Sequence, residues 1–412
     1  MKTYMPQLRL SSPRHQFFIF TLLLSIVSLG AIQIQRISVI DKLATDYVSS
    51  PRNHALTIGI IRNGKQEVYT FGETEKGKGE KPNENAIFEL GTTSEVFTTS
   101  LLALMESEGK VSSLDAVGDV LKGKVKVPYY QRIICNPPPI NSKTQPKDMT
   151  VYQGNICYPD PKDAPQMMVL CDLATHSAGL PSEPPPNVFN TKNPYASYTA
   201  DKLSHYVANL SPSQAFGYKY NQSLIGMALL GQALSIKSGK TYENLLKEQI
   251  WGPLSMTHTF VSPTTEQAAL FINGHTAKGK LTNHRDYNAL TPAAGIRSSV
   301  PDLLKFIGAN LKSDTHFNIA LSETQIPRLY TDPAGGPYMI GWGWISKQFS
   351  DKNKKRLFWR CGEQGGFASF VGFIKESNMG IVILSNSANR VEDMGLKILE
   401  YLETVPATVS VN

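Results

Sequence analysis

The stretch from Phe88 to Gly109 constrains the fold of this chain more than any other. It predicts a strand end, a tight turn at Gly91, and a helix that ends at Gly109. Thr92 and Glu95 have the spacing of a capping box, in which each side chain bonds the other residue's backbone N–H. The apolar helix face comprises Val96, Leu101, Leu102 and Met105. Thr92 is therefore expected at the exposed start of a helix.

Composition is that of a globular protein that can bury one large core or two medium ones. The chain has 412 residues, 41% of them hydrophobic, and a formal net charge of +7. Three of the basic residues, Lys2, Arg9 and Arg14, lie at the amino terminus and leave +4 for the rest. This small excess does not indicate a nucleic-acid partner.

The amino-terminal segment has the pattern of an export signal. An apolar run from Phe17 to Ile32 follows a basic leader without acidic residues. The run is short for a membrane span, and small residues near Ser28 suit a signal peptidase, so cleavage and retention as an anchor both remain open. Residues 1–32 are thus predicted to be a signal peptide or signal anchor of a periplasmic or membrane-anchored protein, with a linker helix over 33–50.

Four cysteines follow the predicted signal. Cys135 and Cys157 bracket a loop rich in Pro and Asn, and export would permit a disulfide that closes it. Cys171 lies in an apolar run where a buried free thiol is the commoner state. The spacing of cysteines and histidines suggests no zinc site, and no cofactor or other metal is expected.

Strand-like runs occur at both ends of the chain. Asn63-Gly64 between two such runs predicts a hairpin, and several further runs follow Ile340. Helices alternate with Pro-rich loops in between. The sequence predicts a sheet domain made of residues 51–124 and 291–405, flanked by helices, with a mostly helical domain inserted at 125–290. The fold class is α/β, more closely α+β.

The segment from Phe88 to Gly109 resembles the nucleophile segment of the serine β-lactamase and penicillin-binding-protein superfamily. The closest resemblance is to one branch of this superfamily, the class C β-lactamase-like proteins and D-alanyl-D-alanine carboxypeptidases or esterases. In that branch the corresponding sequence is Phe-x-Leu-Gly-Ser-x-x-Lys-x-Phe-Thr. Residues three apart share a helix face, so the Lys can help to remove the Ser proton. This chain keeps the framing residues but has Thr92 at the Ser position and Glu95 at the Lys position.

A second resemblance covers Phe216 to Gly239, where the family reads Pro-Gly-x-x-Phe-x-Tyr-Ser-Asn-x-x-x-x-Leu-Leu-Gly. In this register Gln222 replaces the Tyr and Leu224 replaces the Asn. Gln cannot accept the proton that a phenolate would take. A register slip that makes Tyr220 the equivalent residue remains an alternative. Upstream, His176 lies in a segment like the family's Leu-x-x-His-Thr-Ser-Gly-Leu-Pro, where a structural hydrogen-bonding role is the favoured interpretation.

The third motif is Arg360-Cys361-Gly362, where the family has Lys or His, then Thr or Ser, then Gly. Arg360 retains the cation, and its planar fork suits a substrate carboxylate, but it cannot shuttle a proton. Cys361 is either a nucleophile assisted by Arg360 or, as we favour, a spectator thiol at a substrate-binding position. The predicted substrate-binding residues are Arg360, Cys361, Gly362 and Leu224.

The resemblance implies a β-lactamase/transpeptidase-like fold whose catalytic positions, Thr92, Glu95 and Gln222, are all altered. We therefore expect an exported β-lactamase-like protein that is impaired in or lacks serine acyl-enzyme hydrolysis and binds peptidoglycan-type or other carboxylate ligands. The alternatives are an active serine-type hydrolase, such as a β-lactamase, D-Ala-D-Ala carboxypeptidase or esterase, that uses the substituted residues, and a scaffold for a partner protein.

Overall fold

A computed structural model describes residues 39–136, 150–152, 155–160, 162–185, 193–212, 214–331, 338–350 and 354–405. In chain order, the strands are β1 Ala55–Arg62, β2 Lys65–Gly72, β3 Ile87–Glu89, β4 Ile133–Asn136, β5 Thr150–Tyr152, β6 Asn155–Pro159, β7 Gly274–His275, β8 Leu281–Thr282, β9 Arg297–Ser299, β10 Leu329–Thr331, β11 Tyr338–Ile340, β12 Ile345–Ser350, β13 Lys355–Gln364, β14 Phe367–Ile374 and β15 Met379–Ser385.

The α-helices are α1 at 39–49, α2 Glu95–Ser107, α3 Val117–Val120, α4 Leu170–Ala174, α5 Ala200–Ala208, α6 Leu224–Ser238, α7 Tyr242–Leu246, α8 Thr265–Leu270, α9 Thr291–Ala294, α10 Val300–Asn310, α11 His316–Glu323 and α12 Glu392–Thr404. Short 3₁₀ turns cover Gly91–Ser94, Asn288–Leu290 and Lys375–Ser377, and a π-type turn covers Lys247–Trp251. Within the described ranges, no helix is both long and apolar enough to span a bilayer.

The main sheet has eight strands in the order β10-β11-β12-β13-β14-β15-β1-β2, paired antiparallel throughout. The predicted hairpin joins β1 to β2, with Asn63 and Gly64 both at positive φ as a tight two-residue turn requires. Pairing of β1 with β15 brings the two ends of the chain into one sheet. The predicted fold class, helices around an antiparallel sheet, is confirmed.

Helices cover both faces of this sheet. On one face, α1 and α12 bury Ile40, Ala44 and Leu402 against strand residues such as Ile58 and Ile383. On the other, α10 and α2 share a core with α6 and the rest of the inserted segment. The predicted linker helix over 33–50 is described from residue 39, and its residues Ile40 and Ala44 are fully buried. Helix α1 is part of the core.

The inserted segment contains small strands as well as helices. Strands β4, β6 and β5 form a three-stranded sheet in which Cys135 is directly opposite Cys157. The side chains of these two cysteines lie outside the described part of the structure, so the predicted disulfide stays a prediction that this backbone register makes geometrically accessible. Part of the loop between the two cysteines lies outside the described residues.

Candidate functional site

The three resembling motifs meet at one end of the main sheet. The 3₁₀ turn Gly91–Ser94 leads into α2, β13 runs beside this turn, and the loop before α6 faces both. Gly362 permits the close approach of β13, because a Cβ there would lie 2.3 Å from the Leu90 carbonyl oxygen and 2.8 Å from the Thr92 nitrogen. Gly91 has a φ of 54°, the left-handed conformation that glycine adopts most readily.

Between these elements lies a cleft of about 290 Å³. Its lining consists of Thr92, Ser182, Glu183, Gln222, Leu224, Cys361, Gly362, Glu363, Gln364 and Arg390. The structure therefore brings five of the predicted site residues together, namely Thr92, Gln222, Leu224, Cys361 and Gly362. Glu95 and Arg360 are not in this lining.

Thr92 presents a hydroxyl group to the cleft. Its Oγ1 donates a hydrogen bond of 2.9 Å to the carbonyl oxygen of Cys361 on β13. The predicted capping box is wrong, because the side chains of Thr92 and Glu95 make no capping hydrogen bonds at the start of the 3₁₀ turn or of α2. Thr92 bonds across to the sheet instead.

Glu95 points below the cleft rather than into it. Its side chain is fully buried, and Oε2 accepts hydrogen bonds from Nη2 of Arg360 and from Nε2 of His176, the latter at 3.0 Å. We call Glu95, His176 and Arg360 the floor cluster. A buried carboxylate is tolerated only when it is paired and hydrogen-bonded, and these two neighbours pair with Oε2, whereas Oε1 has no hydrogen-bond partner among the described residues.

His176 is a neutral donor in this cluster. Its Nδ1 accepts from the backbone N–H of Ser223 at 3.2 Å, so the ring proton is on Nε2 and is donated to Glu95. Burial lowers the pKa of His176 to about 4, because the charged imidazolium would lose its hydration. The structure thus gives His176 the hydrogen-bonding role that the sequence favours.

Arg360 supplies the cation of the floor cluster. Only 2% of the residue is exposed, and burial lowers its pKa to about 10, which leaves it charged at neutral pH beside Glu95. This position corrects the prediction that Arg360 binds a ligand carboxylate. Its charge is balanced by Glu95, and its guanidinium lies beneath the cleft surface.

Gln222, not Tyr220, is among the residues that line the cleft. The Tyr220 ring packs edge-on against His176, with 5.8 Å between ring centroids, and burial raises the pKa of its phenol above the ordinary value. A phenol with a raised pKa is a poor proton acceptor. The placement of Gln222 agrees with the register set by the Leu-Leu-Gly match.

Neither free cysteine described by the structure has the features of a nucleophile. Burial raises the pKa of the Cys361 thiol to about 12, so it is protonated at neutral pH. Cys171 accepts a hydrogen bond from Nε1 of Trp342 at 3.4 Å and also has a raised pKa because of burial. Cys361 contributes its carbonyl group to the site through Thr92.

Sequence reasoning missed the charged residues of the lining. Glu183 accepts a hydrogen bond of 2.8 Å from the Tyr195 hydroxyl, and Glu363 forms an ion pair of 2.7 Å with Nε of Arg390. Glu363 directly follows the Arg360-Cys361-Gly362 motif, and Glu183 lies two residues after the His176 segment, so their closeness to the motifs was the available signal.

Comparisons with known proteins agree with this fold. The family model described as Beta-lactamase matches residues 40–405. A beta-lactamase of Pseudomonas fluorescens is 22% identical over 361 residues, which cover 80% of this chain and 88% of that protein. The D-alanyl-D-alanine-carboxypeptidase/endopeptidase AmpH of Escherichia coli K12 is 22% identical over 348 residues, covering 81% and 80%.

Solved structures share the fold at low sequence identity. A class C beta-lactamase from Rhodobacter sphaeroides superimposes with a TM-score of 0.70 at 18% identity, covering 90% of this chain and 99% of that one. A beta-lactamase/D-alanine carboxypeptidase from Pseudomonas syringae gives a TM-score of 0.69 at 18% identity, covering 92% and 100%. Because the family model spans most of the sequence, this chain belongs to the beta-lactamase family.

Proposed function

We propose that this protein is a ligand-binding member of the beta-lactamase family in which acyl-enzyme hydrolysis at position 92 is impaired or absent. The observation that carries the proposal is the ion pair between Glu95 and Arg360. The residue at the position of the family's lysine is a buried carboxylate, and its charge is committed to an arginine.

Among the described residues, the Thr92 side chain makes no hydrogen bond to a group that would activate it. A hydroxyl nucleophile needs a base within hydrogen-bond reach, and the hydrogen bond that the Thr92 hydroxyl donates is to a carbonyl oxygen, which is a very weak base. Gln222 cannot take a proton, and the Tyr220 phenol keeps its own. The methyl group of Thr92 adds bulk beside the oxygen that would attack.

The second candidate is an active hydrolase. The relatives named as beta-lactamase and D-alanyl-D-alanine-carboxypeptidase/endopeptidase favour it, as does the hydroxyl group of Thr92 in the cleft. This candidate requires a general base other than the groups equivalent to the family's Lys and Tyr.

Turnover measurements separate the two candidates. Wild-type protein and the near-isosteric variant Thr92→Val would be assayed against a chromogenic cephalosporin and a D-Ala-D-Ala peptide. We expect both proteins to show the same negligible rate, because losing members of a catalytic triad costs orders of magnitude. Hydrolysis by the wild type that disappears in Thr92→Val would favour the hydrolase.

We also propose that the protein is exported and that Cys135 and Cys157 form a disulfide there. The support is the basic and apolar amino-terminal segment together with the directly opposed positions of the two cysteines in β4 and β6. Closing a loop of this length contributes about 3 kcal/mol to the free energy of unfolding.

Non-reducing peptide mapping of material secreted to an oxidising compartment tests the disulfide. We expect one peptide that contains both residues, and a lower denaturation midpoint for Cys135→Ser. The variant Cys171→Ser is the matched control, since Cys171 is a free thiol. Free thiols at both Cys135 and Cys157 would contradict the prediction.

A further inference from the structure

The charges that line the cleft favour a cation. Glu183 is exposed, and its carboxylate accepts a hydrogen bond from a neutral phenol, that of Tyr195, at 2.8 Å. Among the residues that the structure describes, Glu183 takes part in no ion pair. Its negative charge is therefore available to a ligand.

Of the described residues that line the cleft, one is a cation, and it already has an ionic partner. Arg390 bonds Glu363 through Nε at 2.7 Å, and this pair cancels its own charge. With Glu183 added, the formal charge of the lining is negative. A ligand carboxylate in the cleft would meet two carboxylates and one paired guanidinium.

The floor cluster does not reverse this balance. Arg360 and Glu95 carry opposite charges in contact with each other, and His176 is neutral. The cluster therefore presents little net field to the cleft above it. Arg285 does act on the nearby Tyr195 phenol electrostatically, but it lies outside the lining.

The lining presents hydrogen-bond acceptors beside the donors of Thr92, Ser182, Gln222 and Arg390. Gln364 lies in the wall of the cleft, and its buried Oε1 accepts no hydrogen bond within the described structure. Glu183 and Glu363 add further acceptor oxygens. An ammonium group has three donors and no acceptor, which matches such a wall better than a carboxylate does.

We propose that the cleft selects ligands that carry a free ammonium group, held by Glu183, over ligands that carry a carboxylate. This inference rests on the proposed function, since it names the ligand class of the same cleft, and it replaces the carboxylate preference that the sequence predicts from Arg360. The step is binding only and requires no bond to form or break.

Three small probes of similar size test this selection on the full chain by ligand-observed NMR at low salt. They are D-alaninamide, which carries an ammonium group, the neutral N-acetyl-D-alaninamide, and N-acetyl-D-alanine, which carries a carboxylate. We expect D-alaninamide to bind up to about five-fold more tightly than the neutral probe, the range of an exposed ion pair, and N-acetyl-D-alanine to bind most weakly. High salt is expected to remove the difference.

The variant Glu183→Gln keeps the shape of the side chain and removes its charge. We expect it to abolish the preference for D-alaninamide, whereas the control Glu84→Gln, at an exposed position outside the lining, leaves the preference unchanged. Tighter binding of N-acetyl-D-alanine, equal binding of all three probes, binding of none, or an unchanged preference in Glu183→Gln would each overturn the proposal.

These outcomes are distinct from those that test the proposed function. Hydrolysis that depends on Thr92 would contradict the loss of acyl-enzyme chemistry. It would not affect the test of the ammonium preference, which depends on the order of the probe affinities. The probe measurements can be repeated in Thr92→Val, which cannot form an acyl-enzyme at that position. A charge preference seen there belongs to the lining and not to turnover.

Discussion

The floor cluster and the lining of the cleft each contain charged side chains, but these side chains differ in their burial and in their ionic partners. In the floor cluster, Glu95 and Arg360 are almost wholly buried and contact each other. In the lining, Glu183 is exposed and has no ionic partner within the described part of the chain, and Arg390 meets Glu363 at the surface, where the Arg390 side chain is 74% exposed. Buried charges here come in pairs, whereas exposed ones need not.

Because of this difference, we expect the charges of the floor cluster to affect the stability of the fold and those of the lining to affect ligand binding. A buried ion pair costs desolvation, and the loss of one partner leaves the other charge uncompensated. Exposed charges keep their hydration and contribute little to stability, so they are free to select a ligand. We therefore expect substitutions in the floor cluster to change mainly the stability of the fold, and substitutions in the lining to change mainly binding.

The largest expected effect is that of breaking the floor pair. Glu95→Gln and Arg360→Met should each lower the free energy of unfolding by about 3–5 kcal/mol, because each leaves one buried charge alone. The double variant should lose less than the sum of the two. Urea denaturation of the four proteins measures this coupling.

An exposed ion pair provides the matched control for that cycle. Lys347 contacts Glu400 at 3.1 Å on the surface, and its removal in Lys347→Gln should change stability by less than about 1 kcal/mol. Additive losses in the floor cycle, or a cost for Lys347→Gln as large as that of Glu95→Gln, would break the proposed contrast between buried and exposed pairs.

The second-largest expected effect is a change in the free energy of unfolding with pH, to which His176 contributes. Burial lowers its pKa from 6.5 to about 4, so between these values the unfolded chain binds a proton that the folded protein does not. Stability from this group is thus complete above about pH 6.5, falls as the pH falls, and is lost by about pH 4. The change amounts to about 3 kcal/mol.

The contribution of His176 is isolated by comparison with His176→Asn, since Asn tolerates the positive φ of that position. Asp172, whose pKa is raised to about 6 by burial, acts in the opposite direction, and the stacked pair His54 and His275 acts in the same direction, but both contributions are common to the two proteins. The difference in unfolding free energy should shrink from pH 7 to pH 4. A constant difference would show that His176 is not held neutral.

The smallest expected effect on stability belongs to the lining. Glu183→Gln should change the free energy of unfolding by less than about 0.5 kcal/mol, because the carboxylate is exposed and the amide can still accept from the Tyr195 hydroxyl. Thermal unfolding of this variant beside Glu95→Gln measures the contrast. A large loss for Glu183→Gln would mean that the lining also supports the fold.

Local patterns in the sequence were sufficient to predict the sheet and the three motifs that meet at one cleft. Asn63-Gly64 predicted its hairpin because only a few residue types adopt those backbone angles. The glycines and leucines of the motifs fixed the register that brings Thr92, Gln222 and Gly362 to one cleft. These features depend on short-range chemistry that can be read within a few residues.

The direction of charged side chains could not be read in this way. Thr92 and Glu95 fit a capping box by spacing, yet Glu95 turns inwards because Arg360 and His176, distant in sequence, offer stronger bonds in a buried place. The prediction that Arg360 faces a ligand failed for the same reason, because its partner Glu95 is distant in sequence. The packing of Ile40 and Ala44 on the sheet also depends on long-range contacts.

The most direct test of the account is the intact mass of the wild-type protein after incubation with a penicillin and, separately, with a fluorophosphonate, with a class C beta-lactamase as the positive control. We predict no increase in mass with either reagent, because the Thr92 hydroxyl is bonded to a carbonyl oxygen and Glu95 is paired with Arg360. A covalent adduct that maps to Thr92, present in the wild type and absent in Thr92→Val, would contradict the loss of acyl-enzyme chemistry.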